Sequence, residues 1–243
     1  MKYTAIIIGS LFIAVATWGA WGDVIGSFPA PGGNPVSLTW DGQYLWCSTQ
    51  HPEYTYRVNP DNGSVISSYA TGFAYAARGL AWADSSIYEG NNSTNRIYKR
   101  ATSGSIASSF PVTNYYGGLT YDGTNLWVTS STSTTANVFS SFTLAGSLLG
   151  SFTVDFVPFD PGWDGTYLYC GSYSPTHTIY QLTTTGSVVS SVSPPHNFPW
   201  GCCCGGNYLW ISTTAGSDLI WKLDSGFTGV APASVGRVKA LFQ

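Results

Sequence analysis

Few side chains in this sequence can do chemistry, and they are unevenly placed. Five are cysteines: Cys202, Cys203 and Cys204 are consecutive in GCCCGGNYLW, and Cys47 and Cys170 stand apart. Adjacent residues of a strand point to opposite faces, and the histidine nearest the triplet is His196; both facts weigh against a metal site. The other reactive groups are His51, Glu53, Arg78, Glu89, Asp155, Asp160, His177 and His196. A two-carboxylate catalyst needs its acids roughly 5–10 Å apart. Asp155 and Asp160 share one short stretch and can meet; Glu89 and Arg78 can meet as an ion pair. No Ser-His-Asp pattern and no helical zinc motif occurs, and nothing calls for a cofactor.

The background to these groups is neutral. Only 9% of the 243 residues are charged, against about 25% in an ordinary soluble domain. The net charge of −3 comes with no basic patch, which argues against a nucleic-acid partner. Surface polarity must come from Ser, Thr, Gly, Asn and Tyr. Such surfaces favour association, because charge is what keeps proteins apart. At the start, Lys2 precedes an apolar run over 5–16, with small residues following. This pattern predicts a secretory signal over 1–19, cleaved near 16–20, and an extracellular or cell-surface protein. No later segment is long and apolar enough to span a bilayer.

What positions the reactive groups is a repeat. Five segments align: SLTWDGQYLWCS (37–48), GLAWADSSIYEG (79–90), GLTYDGTNLWVT (118–129), DPGWDGTYLYCG (160–171) and GCCCGGNYLWIS (201–212). Each of the first four is followed by a second recurring piece, such as YRVNPDNGSVISSY (56–69). The period of about 40 residues holds four short strands, the first two joined by an Asp-Gly-type turn; this is the propeller signature. The fifth unit lacks its last strand, and GDVIGSF (22–28) matches the missing piece. The expectation is an all-β, five-bladed β-propeller of four-stranded antiparallel blades. It forms one domain over 20–228, its ring closed by the N-terminal strand completing blade five. A tail over 229–243 stands outside the repeats.

In a closed ring, blade five lies between blades four and one. Cys202, Cys203 and Cys204 fall on its first strand, while Cys170 and Cys47 share one register in those two neighbours. A shared register turns both toward the same side of their blades, so at most one faces blade five. The two leading readings are one inter-blade disulfide and buried thiols filling the space of a missing Trp.

Ligands in propellers meet the loops at one end of the channel. Those loops hold Phe73, Tyr75, Tyr115, Tyr116, Phe156, Phe159, His196, Phe198 and Trp200. Aromatic faces beside hydroxyl, amide and carboxylate groups suit a carbohydrate or a peptide; plugging of the channel mouth is the competing role. Asn62, Asn91 and Asn92 lie in glycosylation triplets. The tail carries Val235, Arg237, Val238, Lys239, Leu241 and Phe242, and can pack on its own ring or join copies into an oligomer or polymer.

The repeat GLTYDGTNLWVTS resembles that of streptogramin-lyase-like propellers. The segment GLAWADSSIYEG, with Glu89, resembles a segment of plant-type glutamine cyclotransferases, which are five-bladed propellers. These resemblances imply the fold and a secreted lyase or cyclase working at the channel mouth, with Glu89 and Arg78 as its candidates. The low charge, the unclaimed tail and the lack of a catalytic set point instead to a secreted structural or binding module, self-assembling into a fibre or layer.

Overall fold

The computed structural model describes residues 20–73, 77–113, 115, 117–132, 135–173, 176–214, 216 and 218–226. The expected signal segment (1–19), the tail (229–243), Tyr75 and Tyr116 lie outside the described residues. The first strand is β1 (Val24–Pro29). Blade one follows as β2 (Gly33–Trp40), β3 (Leu45–His51), β4 (Glu53–Val58) and β5 (Val65–Ala70). Blade two is β6 (Ala77–Ala83), β7 (Ser86–Asn91), β8 (Arg96–Arg100) and β9 (Ile106–Pro111). Blade three is β10 (Leu119–Tyr121), β11 (Leu126–Thr132), β12 (Thr135–Phe142) and β13 (Leu148–Thr153). Blade four is β14 (Pro158–Trp163), β15 (Leu168–Ser172), β16 (Ile179–Leu182) and β17 (Val188–Val192). Blade five has β18 (Pro199–Gly205), β19 (Tyr208–Thr213) and β20 (Leu219–Asp224). Its fourth strand is β1, paired antiparallel to β20 from Val24↔Leu223 to Pro29↔Leu219. The five-bladed ring expected from the repeat is thus the fold, and the chain's two ends close it within one sheet.

The recurring Asp-Gly…Leu-Trp word is one hydrogen-bonded unit. In blade one, Asp41 Oδ1 accepts from the Gln43 and Tyr44 amides at 2.9 and 2.7 Å. Its Oδ2 accepts from the Trp46 indole at 2.9 Å. Blade three repeats this with Asp122, the Thr124 and Asn125 amides and the Trp127 indole. In blade four Asp164 holds the Thr166 and Tyr167 amides. A short acceptor at the turn therefore sets the hairpin and fixes the large ring two strands share. Blade two does without the glycine: Asp84 and Ser85 take φ of 48° and 55°.

Hydrophobic burial is divided among the blade junctions. Five buried clusters exist among the described residues, one for each junction between neighbouring blades. Burying each aromatic contributes about 1.5–3 kcal/mol. The rim is tied by a second recurring contact. Near the end of each outer strand a side chain turns inward onto the turn glycine of the next blade. Tyr69 covers Gly104, whose φ is +90° and whose Cβ, if present, would lie 2.5 Å from the ring. Phe110 covers Gly146 in the same way. At the closing junction Val192 replaces the aromatic, and its partner is Gly22, just before β1.

Candidate functional site

The inner strands β2, β6, β10, β14 and β18 pack around the axis. One repeat position from each blade meets there: Val36, Arg78, Gly117, Phe159 and Trp200 line the channel mouth, with Asp160 among them. The next position is Ser37, Gly79, Gly118, Asp160 and Gly201, small in four blades and acidic in one. The position after that offers a backbone N–H in four blades, at Leu38, Leu80, Leu119 and Cys202. In blade four it is Pro161, which has none.

Asp160 and Ser37 satisfy this whole set. Asp160 Oδ2 accepts from Leu38 N at 2.9 Å, Cys202 N at 3.3 Å and Ser37 Oγ at 2.8 Å. Its Oδ1 accepts from Leu119 N at 3.0 Å. The remaining amide, Leu80 N, donates to Ser37 Oγ at 2.7 Å. One carboxyl group thus joins four blades to a fifth through a hydroxyl. Only one such side chain fits: a Cβ at Gly118 would lie 2.1 Å from the Asp160 Cα. Burial pushes the Asp160 carboxyl well above the usual carboxylate range, opposed by the Leu38 amide, the Ser37 hydroxyl and the Leu119 and Cys202 amides. Above it the mouth has room for about one water at most. The axis is a closed polar joint.

Beside the joint an aromatic run reaches the surface. Trp200 stacks on Phe159 with centroids 4.1 Å apart, and Arg78 Cζ lies 5.5 Å from the Trp200 centroid. Phe159 meets Tyr173 at 6.0 Å, Tyr173 meets Phe198 at 5.7 Å, and Phe198 meets His177 at 4.4 Å. Tyr173 is half-exposed. Phe198 holds a φ of +61°, a conformation that costs a bulky residue about 1–3 kcal/mol.

Of the aromatic residues expected at a ligand site, Phe159, Phe198 and Trp200 belong to this run. Tyr115 is buried instead, packed over Gly79 and Gly90. Phe156 is buried and stacked on Tyr180. Phe73 packs against Tyr98 and Arg100. His196 Nδ1 lies 3.2 Å from the Asn197 carbonyl oxygen. Tyr173, Val36 and Gly117 escaped the sequence reading. The column preceding the small residues of the repeat contains the last two.

Glu89 sits between blades one and two, with none of its surface exposed. The ion pair it makes is with Arg100, at 3.1 Å, where Arg78 was expected. Tyr69 Oη and Thr55 Oγ1 donate to its Oε2 at 3.1 and 3.5 Å. Burial raises its carboxyl pKa, with Arg100 and the hydroxyls opposing. Asp155 is exposed while Asp160 lies buried at the axis, so the two acids of that loop do not face one site.

All five cysteines are free thiols, which corrects the expected inter-blade disulfide. Cys47 packs with Cys203 in the core joining blades five and one, and Cys170 packs with Trp127 and Phe139 toward blade three. The shared register sends one neighbour's thiol toward blade five and the other's away. The buried-thiol alternative describes what is found. Burial raises the pKa of all five, and Cys204 alone is half-exposed. Among the glycosylation triplets, Asn62 is exposed in a turn. Asn91 is buried, and its side chain accepts from the Thr94 amide and hydroxyl. Asn92 is half-buried.

No family model matches the chain, and no curated protein matches its sequence. Among solved structures it is similar to glutaminyl cyclase from Myxococcus xanthus, with a TM-score of 0.68 at 14% identity, covering 82% of this chain and 94% of that one. It is also similar to a catalytically inactive virginiamycin B lyase from Staphylococcus aureus with quinupristin. There the TM-score is 0.50 at 19% identity, covering 81% and 68%. A chain of a nidogen/laminin complex gives 0.54 at 15% identity, covering 75% and 73%. These likenesses are of the propeller fold.

Proposed function

We propose that this chain is an extracellular binding and structural propeller, which takes a neutral carbohydrate or peptide on its channel-mouth aromatics and associates with copies of itself through residues 229–243. The observation that carries the binding part is the run from Trp200 to His177 beside a sealed axis. Rings supply apolar area, and neighbouring hydroxyl and amide groups orient the ligand. The strained Phe198 belongs to this run, as expected where strain serves a site. Titration with neutral oligosaccharides (a glucan and a chitin hexamer) and an uncharged peptide tests it, read by tryptophan fluorescence. Binding lost in Trp200→Ala and Tyr173→Ala supports the reading. Silence of the wild type to all three, or equal binding by both variants, overturns it.

A second reading, an enzyme of cyclase or lyase type, draws on the likeness to the Myxococcus enzyme. It requires Glu89 to reach substrate from a site with no exposed surface, where Arg100, Tyr69 and Thr55 already surround it. Conversion of a peptide with N-terminal glutamine by the wild type, and its loss in Glu89→Gln, would favour that reading.

A further inference from the structure

The outer strands of the five blades share a feature the binding site does not use. Each opens on exposed aliphatic residues: Val24 and Ile25 in β1, Val65 and Ile66 in β5, Ile106 in β9, Leu148 and Leu149 in β13, Val188 and Val189 in β17. None of these strands contains a charged residue. Open strand edges are normally guarded by lysine, by other charges or by an internal proline. Among the described residues each edge ends its sheet beside apolar side chains with no charge in the strand itself, although on β9 the Ser109 carbonyl accepts from Arg96.

Two of the five edges are marked further. Exposed carboxylates precede β1 (Asp23) and β5 (Asp61), whereas the turns before β9, β13 and β17 carry none. The start of β1 is crowded by the chain's own exit, since Gly226 lies against Trp21. At the start of β5 the turn glycine, Gly63, lies against Phe28 of β1, the rim contact that recurs at the other junctions. Beyond Gly226 the sequence continues through residues 227–243, which hold Val235, Val238, Leu241 and Phe242 around Arg237 and Lys239. That composition complements an apolar edge with one acid at its end.

We propose that residues 227–243 of one copy add as a further strand to the outer edge of β5 in a second copy, with Arg237 and Lys239 toward Asp61. This rests on the reading that the chain self-associates, and names the receiving surface. Main-chain hydrogen bonds supply affinity, the aliphatic pair and Asp61 supply register. Each chain both gives a segment and offers an edge. The contact is heterologous and extends into an open chain of molecules unless its rotation closes.

Light scattering and sedimentation of the full chain over rising concentration test the assignment. The full chain is expected to grow in mass with concentration, and a chain ending at Gly226 to stay monomeric. Ile66→Lys and Asp61→Lys should each weaken association by about tenfold or more, as guards placed on the edge. Leu149→Lys, on β13, should associate as the wild type does. All three positions are exposed, and circular dichroism confirms that the variants fold. If Ile66→Lys associates like the wild type while the shortened chain does not, the segment has another acceptor and the assignment to β5 fails, with self-association standing. A full chain that is monomeric at every concentration defeats self-association itself.

Discussion

The axis and the rim of this ring handle the same five-fold repetition in opposite ways. At the rim the repeat is kept. Every blade has an exposed aliphatic start to its outer strand, and every junction sets an inward side chain on a turn glycine. At the axis the repeat is broken. One blade supplies Asp160 and Pro161 where the others have a small residue and an N–H donor. The difference teaches a rule of cyclic architectures built from a single chain. A rim offers five separate places, so identical words fit five times. A centre offers one place shared by five blades, so one blade must depart from the pattern and serve all of them.

Breaking the centre should have the largest effect. Asp160→Ala strips the acceptor from three buried amides and a hydroxyl. It should lower the unfolding free energy by about 4 kcal/mol or more, given roughly 1–3 kcal/mol for each buried group left unpaired. Urea denaturation measures this, and an unchanged midpoint would show that the joint is dispensable. Next comes the rim contact. Gly104→Ala combines a φ of +90° with a Cβ driven into Tyr69, and should cost about 2–4 kcal/mol. Gly123→Ala, at φ +95° with nothing within 4 Å, should cost only about 1 kcal/mol. Equal losses from the two would remove packing from the account of the rim.

A smaller effect separates the turn acids from the axial one. Burial works to raise the Asp41 carboxyl, but the Tyr44 and Gln43 amides, the Trp46 indole and Arg57 bring it below its ordinary value. A depressed carboxyl stabilises the fold above its unfolded pKa of about 3.9, and that stability is lost as pH falls through the lower folded value. Thermal melts between pH 6 and pH 2 should therefore show a shallower acid decline in Asp41→Asn. An identical slope would assign that decline to other groups. Least of all should Leu149→Ser matter to stability, within about 0.5 kcal/mol, as an exposed rim position. A larger loss would mean that the outer strand is packed in solution.

Much of this was legible in the sequence because repetition writes each structural need several times. Alignment of the Asp-Gly words exposed the blade period, and the match of 22–28 to 63–69 exposed the closure. Asp160 stood visibly in a column of Ser and Gly, beside the one proline of the next column, yet its part in joining blades was not read. Its partners lie on strands of other blades, 41 to 123 positions away. The partners of Glu89 were hidden for the same reason: Tyr69 and Thr55 of the preceding blade, together with Arg100, close around it where the sequence suggested Arg78.

The sequence by itself determined the number of blades, the strands in each and the seam of the ring, since local pattern and turn chemistry repeat within each unit. It also determined that at most one of Cys47 and Cys170 faces blade five, because register in a strand fixes the face. Only the tertiary structure decided which one, and that the thiols pack without bridging. It alone decided that the axis is sealed by one carboxyl group, and that Trp200, Phe159, Tyr173, Phe198 and His177 form a single run. Those outcomes depend on which side chains meet across blade junctions and at the centre, and such meetings are set by the angle at which neighbouring blades pack.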